Sequence, residues 1–264
     1  MSNSPLVVYT KLSPMNGGKR GHVIDTVTIH CMAGNLSVET CGQIFQTKEA
    51  SSNYGIGSDG RIALYVDEDN RSWCSSNAKN DDRAVTIEVA NTVAADPWPC
   101  SDEAYAALIE LLTDICKRNG IRRLLWKADK SLIGKVDEQN MTVHRWFDAK
   151  ACPGDWLYNR HGKIASEVNA KLAALEKAEA EQKEQDEYES FLRMYKRARD
   201  DTDPFYADLK DVPEYWRKEV EAMMKAGAIK GDGVNEVGKR RSELMAMIPA
   251  ARYVDRYFGE APKE

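Results

Sequence analysis

Two histidines and one cysteine are the residues of this sequence best suited to hold a metal ion. The chain has four histidines, and one of them, His30, ends a β-branched run from Val23 that predicts a strand. A second, His144, lies eight residues before Cys152, and the run Cys152-Pro153-Gly154 predicts a loop followed by a helix. Two imidazoles and a thiolate suit zinc, and three protein ligands leave a fourth position open, as in catalytic zinc sites.

Each of these residues also has an alternative role. A lone strand histidine is more often structural, and a histidine–cysteine pair at this spacing arises by chance in many chains. Cys152 at a helix N-terminus also fits a nucleophile of a cysteine–histidine hydrolase, because such a position depresses a thiol pKa. No CxxC pair occurs, which excludes a zinc ribbon. We expect Cys31 to point away from His30 on the same strand, into the core, and Cys116 to be a core residue.

The elements that must position these residues are predicted within residues 1–165, which have a mixed α/β pattern. Helical spacing of apolar residues after Ser101, a favourable N-cap, predicts a helix that ends at Gly120. The Asp59-Gly60 pair predicts a turn between two strands. The predicted strands are residues 23–30, 54–56, 61–66 and 84–90, and residues 40–47 predict a short helix.

Composition limits the classes of function. The chain has 264 residues and a formal net charge of −5, which makes a general nucleic-acid binder improbable. No apolar run approaches the roughly 20 residues of a membrane span. The first residues lack the apolar core of a signal peptide. We therefore expect a chain that is made and folded in a reducing cytoplasm, where a disulfide framework does not form. We expect it to reach another compartment only if another protein releases it.

The second half of the chain has a different composition. Residues 166–203 are rich in alanine and glutamate and contain no glycine or proline, which predicts a charged helical linker. Residues 204–264 predict a small all-α module of two helices joined by a glycine-rich loop. The segments 206–233 and 240–248 resemble one S-layer homology repeat, which implies binding of a secondary cell-wall polymer. The alternative is a helical tail that stabilises the chain or forms a homodimer.

Four blocks of the first half, in order, resemble the type 2 zinc-dependent N-acetylmuramoyl-L-alanine amidases, which share the fold of the peptidoglycan recognition proteins. The blocks are TIHCMAG (28–34), SSNYGIGSDGRI (51–62), AVTIEVANT (84–92) and VHRWFDAKACPGD (143–155). The resemblance covers residues 20–175 and implies an α/β fold with a mixed central β-sheet flanked by helices. It also implies hydrolysis of the bond between N-acetylmuramic acid and L-alanine in bacterial peptidoglycan.

The resemblance also implies roles for individual residues. His30, His144 and Cys152 match the zinc ligands. Glu88 matches a proposed general base, Lys150 a lysine that faces the reacting carbonyl, and Tyr54 a tyrosine that contacts the attacking water in some members. Whether Glu88 or Tyr54 is the main proton handler stays open.

Two positions depart from the family pattern, and both lie outside the matched ligand set. Asn53 and Cys74 stand where many members carry histidine. We expect these two changes to alter substrate contacts.

The sequence thus predicts a peptidoglycan amidase, most simply a phage endolysin that stays in the host cytoplasm until it is released to the cell wall. Two alternatives are a non-catalytic peptidoglycan-binding protein on the same fold and a cysteine–histidine peptidoglycan hydrolase. Cys152 argues against the binding protein, because such binders characteristically lose the cysteine ligand. Dependence on metal separates the zinc amidase from the cysteine hydrolase.

Overall fold

A computed structural model describes residues 3–229 and 236–258. The chain divides into two compact units, Met1–Ala178 and Glu179–Glu264. None of the helices in the described ranges combines the length and the apolar character that crossing a membrane requires.

The first unit is organised around a mixed β-sheet. Its strands are β1 (Val7–Thr10), β2 (Asn16–Lys19), β3 (Thr26–Cys31), β4 (Tyr54–Ile56), β5 (Ile62–Leu64), β6 (Asn70–Ser72), β7 (Ala84–Val89) and β8 (Met141–Thr142). Six of them form one sheet in the order β1-β5-β4-β7-β3-β8, in which β4 and β5 are antiparallel and the other neighbours parallel. Strands β2 and β6 pair separately. The predicted mixed central sheet is confirmed.

Helices cover this sheet. They are α1 (Val38–Ile44), α2 (Ala78–Arg83), α3 (Asp102–Asn119), α4 (Gly154–Tyr158) and α5 (His161–Thr202). Helix α3 starts and ends where the sequence predicts, because the Ser101 hydroxyl accepts the Ala104 amide and Gly120 adopts a left-handed conformation at φ 69°. Leu108 and Leu112 of this helix pack with Ile29 and Ile87 of the central strands in one apolar core.

The central strands β3 and β7 lie side by side and are largely buried. Their parallel pairing sets His30 directly beside Glu88. Neighbouring residues in register point to the same face of a sheet, and successive residues alternate between faces. His30 and Glu88 therefore share one face, while Ile29 and Ile87 enter the core on the other.

Helix α5 differs from the predicted linker at its start. Its first turns bury Ile164, Val168 and Leu172 in the core of the first unit, whereas residues 173–199 are all exposed. The predicted boundary at residue 165 therefore falls inside a helix that still belongs to the core. The exposed stretch is the charged helix that the composition predicts.

The second unit contains a β-structure that the sequence did not predict. Strands β9 (Phe205–Asp208) and β10 (Glu236–Arg240) pair in antiparallel fashion beside helices α6 (Glu214–Lys225) and α7 (Arg241–Phe258). The prediction of an all-α module is wrong on this point, because pairing across the module leaves no local sequence signal. Tyr206 of β9 and Val237 of β10 are buried in the same small core as Met223 and Leu244. The glycine-rich run at 231–233 lies outside the described residues.

Candidate metal centre and active site

Three predicted metal ligands converge at one end of the central sheet. His30 comes from β3, His144 from a short 3-10 turn at His144–Trp146, and Cys152 from the loop before α4. The Arg145 amide donates to the Cys152 carbonyl at 3.1 Å, which ties the turn to that loop. The Cys152 Sγ lies 3.3 Å from His30 Nδ1, and the two imidazole centroids are 5.1 Å apart. One donor atom from each residue lies within 4.8 Å of the others.

The state of the two imidazoles suits metal binding. His30 is fully buried, and burial holds its pKa well below the usual range. Burial also lowers the pKa of His144, although Asp148 opposes this. Both rings are therefore neutral at neutral pH, which is the form that ligates metal. His30 Nε2 is buried and has no hydrogen-bond partner among the described residues. A set of two neutral imidazoles and one thiol fits zinc.

The thiol of Cys152 is in a different state from that of a free nucleophile. A hydrogen bond with Cys31, together with burial, raises the pKa of the Cys152 thiol well above its usual range. A cysteine nucleophile needs the opposite shift. The neighbouring His30 resists protonation, so a thiolate–imidazolium pair is disfavoured as well. The thiolate of Cys152 thus forms readily only with a cation beside it.

Two of the three ligand residues, His144 and Cys152, border a cavity of about 750 Å³. Glu88 and Lys150 line it together with His144 and Cys152. Burial raises the pKa of Glu88 well above the usual carboxyl range. Lys150 is 55% exposed, and its Nζ lies 3.8 Å from Asp148 Oδ2. The cavity therefore holds a carboxyl group suited to proton transfer and an exposed cation near the three ligand residues.

The sequence model of the N-acetylmuramoyl-L-alanine amidase family matches residues 20–155, just over half of the chain. The chain belongs to this amidase family. The matched segment contains β3, β7, the cavity and all three ligand residues, so the family assignment and the site concern the same part of the molecule.

Solved structures similar to the amidase unit include endolysins and a recognition protein. A mutant endolysin from Bacillus subtilis is 13% identical and covers 61% of this chain and 97% of that chain, with a TM-score of 0.44. The endolysin N-acetylmuramoyl-L-alanine amidase LysCS from Clostridium intestinale is 15% identical, with a TM-score of 0.43. The match covers 66% of this chain and 99% of that chain. Drosophila peptidoglycan recognition protein SD is 19% identical, with a TM-score of 0.41. The match covers 57% of this chain and 91% of that chain. No curated protein matches the chain.

The structure removes Tyr54 from the active site. In the register of β4 and β7, Gly55 rather than Tyr54 lies beside Glu88, so the Tyr54 side chain points to the opposite face of the sheet. There its hydroxyl donates to Glu68 Oε1 at 2.5 Å and accepts the Ser4 amide at 2.8 Å. The expected contact of Tyr54 with the attacking water is therefore wrong, and Tyr54 is a core residue with a satisfied hydroxyl.

Cys31 is buried in the core as predicted, whereas Asn53 differs from its predicted role. Cys31 is buried at the end of β3, but it borders the cavity and hydrogen-bonds to Cys152. Asn53 does not contact substrate space: its amide donates to the carbonyls of Val66, Asp67 and Asn70, and its carbonyl accepts the Thr86 amide. The departure from the family pattern at Asn53 is therefore structural.

Three further residues line the cavity, and of these only Cys74 had an expected effect, on substrate contacts. Ser76 lies 3.1 Å from His144 Nε2 and 3.3 Å from Asp148 Oδ2, so its hydroxyl orients the ligand ring. Trp73 is 39% exposed and lines the cavity. Cys74 lies 3.9 Å from Glu88 Oε1. In the sequence, Cys74 was identified only as a departure from the family pattern.

Proposed function

We propose that the chain is a zinc-dependent N-acetylmuramoyl-L-alanine amidase. It would hydrolyse the amide bond between the lactyl group of N-acetylmuramic acid and L-alanine in bacterial peptidoglycan. The observation that supports this most directly is the convergence of His30, His144 and Cys152 next to Glu88, at a cavity that Glu88, His144 and Cys152 line. Membership of the amidase family supports peptidoglycan as the substrate.

His30, His144 and Cys152 would hold the zinc ion. When bound, zinc supplies Lewis acidity, which lowers the pKa of water and polarises a carbonyl group. Glu88 takes a proton from the attacking water and delivers it to the departing alanine nitrogen. A raised pKa makes the Glu88 carboxylate a stronger base than an exposed carboxylate, which favours the first of these steps. The exposed Lys150 ammonium provides positive charge for the oxygen that becomes negative as the carbonyl is attacked.

The cysteine–histidine hydrolase is the weaker candidate. Its nucleophile would have to be Cys152, whose thiol pKa is raised, and its base would have to be His30, which burial keeps neutral. The non-catalytic binding protein is also weaker, because the cavity keeps both a complete donor set and a buried carboxyl group.

We further propose an endolysin's role, in which the chain is held in a host cytoplasm and then acts on the cell wall. In this proposal, residues 1–172 are catalytic, because the first turns of α5 pack in that core, residues 173–203 form the linker, and residues 204–264 bind a secondary cell-wall polymer. The exposed aromatic side chains of Phe205 and Tyr215 support a carbohydrate-binding surface on the second unit. Binding of the full chain to walls with and without their secondary polymer tests this role, and equal binding would contradict it. A dimer in light scattering, with no polymer dependence, would instead favour the dimerisation tail.

Mass spectrometry of digested peptidoglycan tests the activity. We expect stem peptides that begin with alanine and intact glycan strands, formed with zinc and lost with chelator. The matched variants are Cys152→Ser, which removes a ligand, and Cys116→Ser, which changes a buried cysteine of α3. Cleavage inside the peptide that persists in chelator would refute the zinc amidase. Absence of cleavage with retained wall binding would favour the binding protein.

A further inference from the structure

A second group of metal donors lies at the cavity, which Cys74 and Glu88 line. Cys74, Glu88 and His30 each place one donor atom within 4.8 Å of the other two. Cys74 follows β6, and its amide donates to Asp81 Oδ2 at 3.0 Å, which fixes the backbone that carries the thiol. Glu88 and His30 are fixed by the pairing of β7 with β3. The three donors are therefore held by the fold before any ion arrives.

Two of these donors have unused capacity. Glu88 Oε2 and His30 Nε2 are buried and have no hydrogen-bond partner within the described part of the chain. The contact between Cys74 Sγ and Glu88 Oε1 is 3.9 Å, which is a weak interaction for a buried carboxyl group. Leaving such groups unpartnered costs free energy. Because His30 Nδ1 is the nitrogen that faces Cys152, Nε2 is the ring atom available to a different group.

We propose that Cys74, Glu88 and His30 form a second metal position that takes a thiophilic divalent ion, such as Zn²⁺ or Cd²⁺. A sulfur, an oxygen and a nitrogen donor suit these ions, whereas Ca²⁺ and Mg²⁺ need oxygen ligands throughout. The position shares His30 with the His30–His144–Cys152 centre. Occupation of both positions would require loss of the remaining N–H proton of His30 to solvent, so that the ring ligates one ion through each nitrogen. The second ion therefore binds more weakly than the ion of the His30–His144–Cys152 centre, and its binding releases a proton.

Occupancy of the second position would regulate the site. An ion bound to Glu88 occupies the carboxylate that the proposed hydrolysis uses as its base. Excess zinc would then inhibit the enzyme that one equivalent of zinc activates. This consequence rests on the proposed function, but binding of the ion itself does not.

Cadmium titration of the full chain tests binding without reference to hydrolysis. Thiolate-to-cadmium charge transfer gives an ultraviolet absorption whose amplitude counts the bound thiolates. We expect Cys74→Ser to lose about half of the saturating amplitude, because Cys152 retains the other half. Cys41→Ser is the matched control, since Cys41 is a buried cysteine that borders the same cavity outside both donor groups. It should keep the full amplitude. An undiminished amplitude in Cys74→Ser, or an equal loss in Cys41→Ser, would overturn the proposal.

A second variant tests the same position if Cys74→Ser does not fold. Glu88→Gln keeps both thiols but replaces a carboxylate ligand by a poor one, and we expect it to weaken the second cadmium event by at least about tenfold while the first is unchanged. Unchanged affinities would overturn the proposal. In hydrolysis assays, the wild type should be inhibited by excess zinc, and Cys74→Ser should require at least about tenfold more. If the wild type cleaves nothing, the proposed function fails, while the cadmium titration still decides the second position.

Discussion

The buried imidazole of His161 makes a quantitative prediction about stability. His161 begins α5, is fully buried and stacks against Trp126 with ring centroids 4.5 Å apart. Its Nδ1 donates to the Leu157 carbonyl at 2.8 Å, while Nε2 is buried without a partner in the described structure. A protonated ring would leave a charge with nothing to compensate it. Burial accordingly lowers the pKa of His161 from 6.5 to about 4, although the hydrogen bond to Leu157 opposes this.

The direction of the pH effect follows from this depressed pKa. Between pH 6.5 and about pH 4 the unfolded chain binds a proton at His161 that the folded chain does not. Stability is therefore complete above pH 6.5 and falls as the pH drops towards 4. The difference between the two pKa values corresponds to roughly 3 kcal/mol, of which about 2.5 kcal/mol is lost between about pH 7.5 and pH 4.5.

Urea unfolding monitored by tryptophan fluorescence measures this loss. The experiment compares the wild type with His161→Gln and His161→Phe at both pH values, with chelator present so that metal binding adds no pH dependence. Glutamine retains a donor for the Leu157 carbonyl and does not titrate, whereas phenylalanine removes the polar atoms altogether. Both variants should lose less stability than the wild type on acidification, by about 2.5 kcal/mol. If all three proteins lose the same amount, the assignment of a depressed pKa to His161 is refuted.

Four further predictions concern the site and the stability of the fold. Glu88→Gln should lower hydrolysis by roughly 10²–10⁴-fold while the amidase still binds one zinc, as measured by alanine-terminated peptide release and metal analysis. Cys152→Ser should lose zinc and activity together, and full zinc occupancy would contradict the ligand assignment. Glu68→Gln should cost about 3 kcal/mol in urea unfolding, because the buried Glu68 carboxylate accepts from Arg118 at 2.6 Å and from Tyr54. Lys171→Ala, which breaks an exposed pair, should cost less than about 1 kcal/mol.

The parts of the fold that the sequence predicts are those with local signals. The Ser101 cap, the terminal Gly120 and the apolar spacing between them determine α3 without reference to any other element. The β-branched runs that become β3 and β7 are detectable for the same reason. Strands β9 and β10 are not, because each is short, and their pairing connects residues about thirty positions apart.

The candidate site also contains residues that the sequence identifies and residues that only the structure identifies. His30, His144 and Cys152 are chemically distinctive and scarce, so residue type and order suffice to nominate them, and the structure brings them together. Cys31 and Cys74 are cysteines among six, and residue type alone assigns them to the core. Their approach to Cys152 and Glu88 depends on where β3 ends and on how the segment after β6 packs on α2. These contacts depend on tertiary packing, which residue type and spacing do not show.

Strand register places Glu88, and not Tyr54, on the cavity face of the sheet, which is the reason for proposing Glu88 as the proton handler. Glu88 lies beside His30 on one side and beside Gly55 on the other, so all three positions share the cavity face of the sheet. The space above Gly55 is filled by Tyr65, whose ring would meet an added Cβ at 2.4 Å. Tyr65 in turn donates to the Val38 carbonyl at 2.7 Å and so fixes α1 over the sheet. A tyrosine in β4 could reach the metal centre only from position 55, where Tyr65 already packs. On the same face, Glu88 provides a carboxyl group, and its Oε2 has no hydrogen-bond partner among the described residues.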